Sequence, residues 1–348
     1  MPSEATVLFV DRDPPSGFMA LEERCLGEES RVVRLTYPGR PTLRFVLDTF
    51  RWCWRVDAVY VFFASEHALV PALASAVTNR RFILVPAGYD YANLPERSYG
   101  LAARGRAWLP KLIGRLCDVA LPISQQTLWE FLALVPSAAP RTFLAYLAVD
   151  PTEWESPGVT RDPDRVVTVG YVDAESWSRK GIDRFVEAAA ADPDREYVLA
   201  GEVKPEIGGF LQSLRIDNLR ITGHLPHDEL VRLLWSSGIY AQLSWHETFG
   251  VALAEAMLCG CAPVITPCAA LAETAGRWAE YVPYERDVET DVKTIARVAH
   301  KFSDADRMGM RSDVADRFSV RARARLLADA VHGRLQPSRR GLSRRRSN

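Results

Sequence analysis

Ile239-Tyr240-Ala241-Gln242-Leu243-Ser244-Trp245-His246-Glu247-Thr248-Phe249-Gly250-Val251-Ala252-Leu253-Ala254-Glu255-Ala256-Met257 is the stretch on which the fold turns. Ile239–Leu243 has the length and apolar content of a buried strand, a polar loop follows, and a helix opens at about Gly250. A helix amino terminus offers unpaired N–H groups and a partial positive charge, and a glycine there lets an anion approach the backbone. Glu255 lies inside that helix, about a turn and a half beyond Gly250, and Glu247 lies in the loop before it. Two carboxylates flanking such a helix end can hold hydroxyls on either side of a bound phosphate. They also read more plainly, Glu247 as a helix-dipole acid and Glu255 as a solvated helix residue.

The same strand, loop and helix grammar recurs along the chain. Apolar runs fall at Thr6–Val10, Arg31–Thr36, Asp57–Phe63, Arg81–Pro86, Asp118–Pro122 and Arg141–Tyr146. A second set falls at Arg165–Gly170, Glu196–Gly201, Leu219–Thr222, Ile239–Leu243, Ala262–Thr266 and Tyr281–Val282. Near-continuous apolar strands alternating with helices predict parallel sheets covered on both faces, hence two doubly wound α/β domains. The expected division is 1–150, 151–333 and a tail 334–348, with a linker near Asp150–Arg165, where Pro151, Pro157, Gly158 and Pro163 break any periodicity. Ligands of open parallel sheets bind beyond the strand carboxyl ends, so two such domains imply a site in a cleft between them.

Composition narrows the classes further. With 348 residues, 48% hydrophobic and 25% charged, the chain is neither disordered nor collagen-like in composition. The net charge of −1 is a sum of unlike parts: +1 over 1–150, −8 over 151–333, and +6 over the acid-free tail. The tail reads as an anion-seeking appendage or a solvated end, and without a basic groove or a base-reading motif no nucleic-acid partner is expected. Six cysteines lie without a CxxC pair or a nearby histidine cluster, so no metal site is encoded by spacing and reduced, buried thiols are expected. The start of the chain lacks the basic and apolar regions of a signal peptide, and the most apolar stretch, Val56–Val77, is broken by Asp57, Glu66 and His67. A cytoplasmic protein is expected.

A second segment bears on chemistry. The strand Val167-Thr168-Val169-Gly170 is followed by Arg179-Lys180-Gly181-Ile182-Asp183 and an apolar-periodic helix. The chain holds 5 Lys against 38 Arg, so a lysine here is not the compositional default. A compact ammonium suits a phosphate oxygen, although a surface cation before a helix is the plainer reading.

Together these segments resemble the carboxy-terminal domain of the retaining GT-B glycosyltransferases of family four (glycosyl transferases group 1). The similarity runs from about Val166 to Ala275 and includes Leu199-Ala200-Gly201-Glu202, Thr222-Gly223-His224-Leu225-Pro226 and Ala256-Met257-Leu258-Cys259-Gly260-Cys261-Ala262-Pro263-Val264-Ile265. The resemblance implies a GT-B fold and transfer of a sugar from a UDP-type or GDP-type donor to an acceptor hydroxyl, with retention of configuration and no metal or other cofactor. It implies that Glu255 holds the nucleotide ribose, Glu247 the donor sugar, Lys180 the diphosphate, and the Phe249–Val251 backbone sugar or phosphate, with Leu225 in the same donor-binding set. Catalytic roles are expected for Lys180, Glu247 and Asp90. A silent sugar-nucleotide binder, an epimerase and a phosphorylase stand as alternatives.

The first half resembles a subgroup of the same family through Val59–Ala68, Val85–Ala92 and Asp118–Ser124. Pro14-Pro15-Ser16-Gly17 follows the first strand where the family has a glycine loop near donor and acceptor, making Gly17 a candidate, weighed against a plain turn glycine. The sequence also departs from the family. Tyr171 stands where an arginine is usual, and Arg179 is expected to replace that cation in part. Gly88-Tyr89-Asp90 stands where many members have a histidine, leaving His67, Tyr89 and Asp90 as acceptor-side candidates, with a satisfied structural role equally open to His67. Finally, if Arg40–Arg55 is helical, Arg40, Arg44, Arg51 and Arg55 flank an apolar face of Leu43, Val46, Leu47, Phe50 and Trp54, with Phe45 and Trp52 pointing away. Such a helix packs into the core with a solvated arginine edge, lies on an anionic bilayer, or meets an acceptor that is anionic or lipid-linked.

Overall fold

The computed structural model describes residues 4–12 and 17–336. Its apolar runs become strands because both faces of each are covered: Val7–Val10, Val59–Val61 and Ile83–Val85 are all buried. The chain divides into two compact units, one ending at Ala148 and resuming at Val320, the other Val149–Ser319.

In the first unit β1 (Ala5–Arg12), α1 (Gly17–Gly27), β2 (Ser30–Tyr37), α2 (Leu43–Cys53) and β3 (Ala58–Phe62) come in turn. They are followed by α3 (Glu66–Thr78), β4 (Arg81–Val85), α4 (Trp108–Leu116), β5 (Val119–Ala120) and α5 (Gln125–Leu134). The five strands are parallel in the order β2-β1-β3-β4-β5, so the winding reverses between β1 and β3. Right-handed crossovers place α2, α3 and α4 on the same face of this sheet. The strand expected over Arg141–Tyr146 does not form. Pro136–Arg141 coils into a 3₁₀ turn, and beyond it Phe143 N–H to Ala120 O and Ala145 N–H to Pro122 O, each 2.9 Å, only tack an extended segment to the sheet.

The second unit runs through β6 (Asp162–Val169), α6 (Ala174–Arg179), α7 (Ile182–Ala191), β7 (Tyr197–Ala200), α8 (Pro205–Ser213), β8 (Leu219–Gly223) and α9 (His227–Ser236). It continues with β9 (Ser237–Gln242), α10 (Val251–Leu258), β10 (Ala262–Ile265), α11 (Ala269–Ala275), β11 (Glu280–Tyr281), α12 (Val288–Val298) and α13 (Asp304–Arg317). Its six parallel strands are ordered β11-β10-β9-β6-β7-β8, reversing between β6 and β9. Arg184 and Asp291 form a buried ion pair that joins α7 to α12.

The last helix, α14 (Val320–His332), packs in the first unit against α1, not in the second unit where the sequence reading placed it. Arg323 is the reason. It is buried beside Glu22 of α1, with Nη2 2.6 Å from Oε1, donates to Ala145 O at 2.6 Å, and shares Glu22 with the Tyr60 hydroxyl. A charge so deep is tolerated only with its partner, which fixes where the helix must lie. Of the basic tail, residues 337–348 lie outside the described residues, and Arg334 pairs with Asp329. All six cysteines are buried and free. Among the described residues no helix is long and apolar enough to cross a membrane.

Candidate functional site

The reversal of winding between β6 and β9 opens a crevice at the strand carboxyl ends, the usual ligand position in an open parallel sheet. β6 ends at Val169 and leads through Gly170 and Tyr171 to α6, whose capping box at Asp173 and Ser176 turns the chain back. Lys180 caps the end of α6, and Gly181, at φ +66°, starts α7. A Cβ on Gly181 would stand 2.1 Å from Leu243 O, so only glycine allows this junction to lie against the end of β9. The contact is reinforced by Trp245 N–H to Arg179 O at 3.0 Å and Ser244 Oγ to Lys180 O at 3.3 Å. The Lys180 side chain folds back over the end of β6, its Nζ 3.2 Å from where a Gly170 Cβ would be. This places an ammonium at the crevice.

The segment after β9 supplies the rest. Gly250, at φ +87°, is the N-cap of α10, and a Cβ there would stand 2.9 Å from Leu271. The first-turn amides of α10, beginning with Val251, have no intrahelical acceptors by geometry and form an anion-receptive end. Phe249 contributes backbone alone: its ring is buried against Phe318, centroids 5.0 Å apart, and its carbonyl accepts from Thr274. Glu247 stands in the loop with Oε1 4.0 Å from Arg179 Nη1. Arg179 therefore faces Glu247, while the position where the resemblance expects an arginine is held by Tyr171. At that position Lys204 places its ammonium 5.4 Å over the Tyr171 ring and 3.1 Å from Glu202.

Glu255, one helical turn into α10, is held up at about 8 by burial, with Glu153 adding repulsion. Burial penalises the charged form, and a carboxyl so perturbed is a candidate for ligand contact. The buried Tyr240 phenol of β9 is pushed up by burial and by both Glu247 and Glu255, so the two carboxylates converge on one neighbourhood. Sequence reading passed over Tyr240 and also Gln242, whose buried Oε1 has no hydrogen-bond partner among the described residues. Both lie in a strand that reads as uniform core, and only the register shows that they end beside β6. Leu225 lies in the loop after β8, two strands from β6.

In the first unit two of the acceptor-side candidates, Asp90 and His67, are buried. Asp90 is 1% exposed, and its carboxylate accepts Ala64 N–H and Gly88 N–H, both at 2.9 Å. Burial pushes it up to about 6, and its geometry ties two loops together, so it is a positioning residue for the end of β3. His67 is 2% exposed, with Nε2 donating to Phe62 O at 2.6 Å and Nδ1 accepting from Ser65 Oγ at 3.0 Å. Burial and Arg12 lower its pKa to about 4, which leaves a neutral, fully satisfied ring. Tyr89 is half-buried, edge-on to Tyr99, with Arg104 5.4 Å over its ring. Gly17 opens α1 with nothing within 4 Å of a Cβ, so packing does not demand glycine there, and Pro14–Ser16 lie outside the described residues. Two further features mark the reversal between β1 and β3: Arg12 donates to Ser65 Oγ at 2.9 Å, and Phe63 takes φ +61°, a strained value for a bulky side chain.

Known proteins bear on both units. Residues 156–312 match the model of the family described as glycosyl transferases group 1. No curated protein sequence matches significantly. Among solved structures, Anabaena HepE in complex with UDP and glucose has a TM-score of 0.73 at 15% identity, covering 94% of this chain and 100% of that one. Sucrose-phosphate synthase from Thermosynechococcus elongatus has a TM-score of 0.76 at 16% identity, covering 94% and 98%. WaaG, a glycosyltransferase involved in lipopolysaccharide biosynthesis, has a TM-score of 0.67 at 15% identity, covering 94% and 100%. The chain thus shares with these structures the GT-B fold of two parallel-sheet Rossmann-like domains, and its second unit carries the sequence match to glycosyl transferases group 1.

Proposed function

We propose that the protein transfers a sugar from a nucleoside diphosphate sugar to an acceptor hydroxyl, with retention of anomeric configuration and without a metal. The observation that carries this reading is the meeting, at one strand reversal, of the Lys180 ammonium, the Gly250 end of α10 and the carboxyl of Glu255. The family match of residues 156–312, and UDP and glucose in the HepE structure, support a nucleotide-sugar donor.

In such a transfer the bond from the anomeric carbon to the phosphate oxygen breaks and its electron pair leaves with the diphosphate. Positive groups are therefore needed on the leaving side. Lys180 and the first amides of α10 supply them, and Lys204 beside Tyr171 is assigned as a further cation. Glu255 accepts the ribose hydroxyls and Glu247 those of the sugar, its position held by Arg179. Retention places the acceptor on the face that the diphosphate leaves, so the departing phosphate oxygen is the nearest base for the acceptor proton.

A panel of nucleotide sugars incubated with the protein, read by mass spectrometry for hydrolysis and transfer, tests the reading, and the anomeric configuration of the product tests retention. Activity is expected to persist in EDTA. Each electrostatic donor of this kind is worth about 2.7–4 kcal/mol, so Lys180→Ala should lower kcat roughly a hundred- to a thousand-fold. A loss below about tenfold would remove Lys180 from the mechanism. Nucleotide affinity without turnover of any donor would identify a silent binder, and an isomerised donor without acceptor an epimerase.

A further inference from the structure

α2 wears its apolar face outward. The helix is capped by Thr42, whose Oγ1 accepts Phe45 N–H at 3.2 Å, and it anchors itself through Phe45, Thr49 and Cys53, which are buried. On the opposite side Leu43 is 75% exposed, Leu47 60% and Trp54 62%. At 100° per residue these three lie within about 40° of one another, with Arg44, Arg51 and Arg55 grouped on the adjoining flank. All three arginines are exposed, while Arg40 precedes the helix. The expected apolar face is split: Phe50 packs against the core and Val46 is half-buried, while Leu43, Leu47 and Trp54 stay outside.

We propose that this face docks on an anionic lipid bilayer. An isolated exposed leucine needs no explanation, but an aligned Leu-Leu-Trp stripe bordered by arginines combines the two terms that drive interfacial binding, apolar insertion and attraction to anionic headgroups. Asp48, 3.6 Å from Arg44, is the one acid within the helix, so the flank is net positive. α4, on the same face of the sheet, extends the surface with exposed Trp108, Leu112 and Arg115. Tryptophan at the edge of such a patch is suited to the headgroup level.

The test uses the full chain and vesicles of phosphatidylcholine, alone or mixed with phosphatidylglycerol. Cosedimentation with the anionic vesicles at low salt is expected, weakened by high salt, with none on the neutral vesicles. Replacing Arg44, Arg51 and Arg55 by glutamine should weaken binding about fivefold per arginine. Leu43→Ser, Leu47→Ser and Trp54→Ser together should abolish it while circular dichroism and the melting temperature are unchanged, which controls for folding. Brominated lipid should quench tryptophan fluorescence in the parent chain and less in Trp54→Phe, a conservative change. Absence of cosedimentation at low salt, equal binding to neutral vesicles, or indifference to both sets of substitutions would overturn the proposal. A dimer that the serine substitutions dissolve would assign the face to a second copy and overturn it equally. Vesicle binding is read without donor or acceptor, so its failure leaves the transfer reading standing.

Discussion

Glu255 makes the donor-site reading quantitative. In the free protein burial raises its carboxyl from an ordinary 4.5 to about 8, so at neutral pH it holds its proton. A ribose diol donates two hydrogen bonds and favours the ionised form, so binding should draw the pKa back toward its usual range. Linkage then requires the affinity for a nucleotide sugar to weaken nearly tenfold per pH unit below 8, about 50-fold between pH 8 and pH 6. A nucleotide sugar, with its diphosphate esterified at both ends, is the right ligand because it does not titrate in this range. Calorimetry at pH 7 in buffers of different ionisation enthalpy should show release of about 0.9 proton per site, and Glu255→Gln should flatten both dependences. The same shift acts on stability with a definite sign. The folded state keeps the proton up to about 8 and the unfolded chain loses it near 4.5, so stability falls as pH rises through that window. Glu255→Gln should therefore melt several degrees higher than the parent at pH 8.5 and little differently at pH 5. An affinity changing less than about threefold between pH 6 and 8, or weakening as pH rises, would refute the assignment of Glu255 to the nucleotide.

Two further expectations rest on other contacts. Lys204→Ala should lower kcat/KM with the best donor about tenfold or more and leave the melting temperature unchanged, because the Lys204 ammonium is solvent-facing and its pair with Glu202 contributes little to stability; unaltered kinetics would return the cation role to Arg179. Arg323→Met leaves Glu22 buried without its charge partner, so urea unfolding should show a loss of about 3–5 kcal/mol, and a loss under about 1 kcal/mol would mean that α14 is held by apolar packing instead.

Much of the local geometry around the candidate site in the second unit was legible because it lies in short segments. The Gly250 helix end, Glu255 a turn beyond it and Lys180 before Gly181 are each defined by residues close in sequence, where strand, turn and helix rules operate. Arg179 was not legible in the same way. Its partner Glu247 lies 68 residues away, and only the meeting of Gly181 with Leu243 brings the two loops together. The surroundings of Asp90 and His67 were not legible for a related reason: polar residues after strands look alike in sequence whether they face a ligand or satisfy a loop, and hydrogen-bond partners alone distinguish the cases.

The charge and pattern of the chain determined by themselves that there would be two parallel α/β units, since alternating buried strands and helices have few other ways to cover both faces of a sheet. They determined also that residues 151–333, with a charge of −8, offer no bulk field that favours an anion, so an anionic ligand there has to be held by placed groups. Tertiary structure alone decided where α14 belongs, because a buried arginine follows its carboxylate across 301 residues of chain. It alone decided which side of α2 is inside. Periodicity reveals that a helix has two faces, but burial depends on what the neighbouring elements leave open, and here they enclose Phe45, Thr49 and Cys53 and leave Leu43, Leu47 and Trp54 to the solvent.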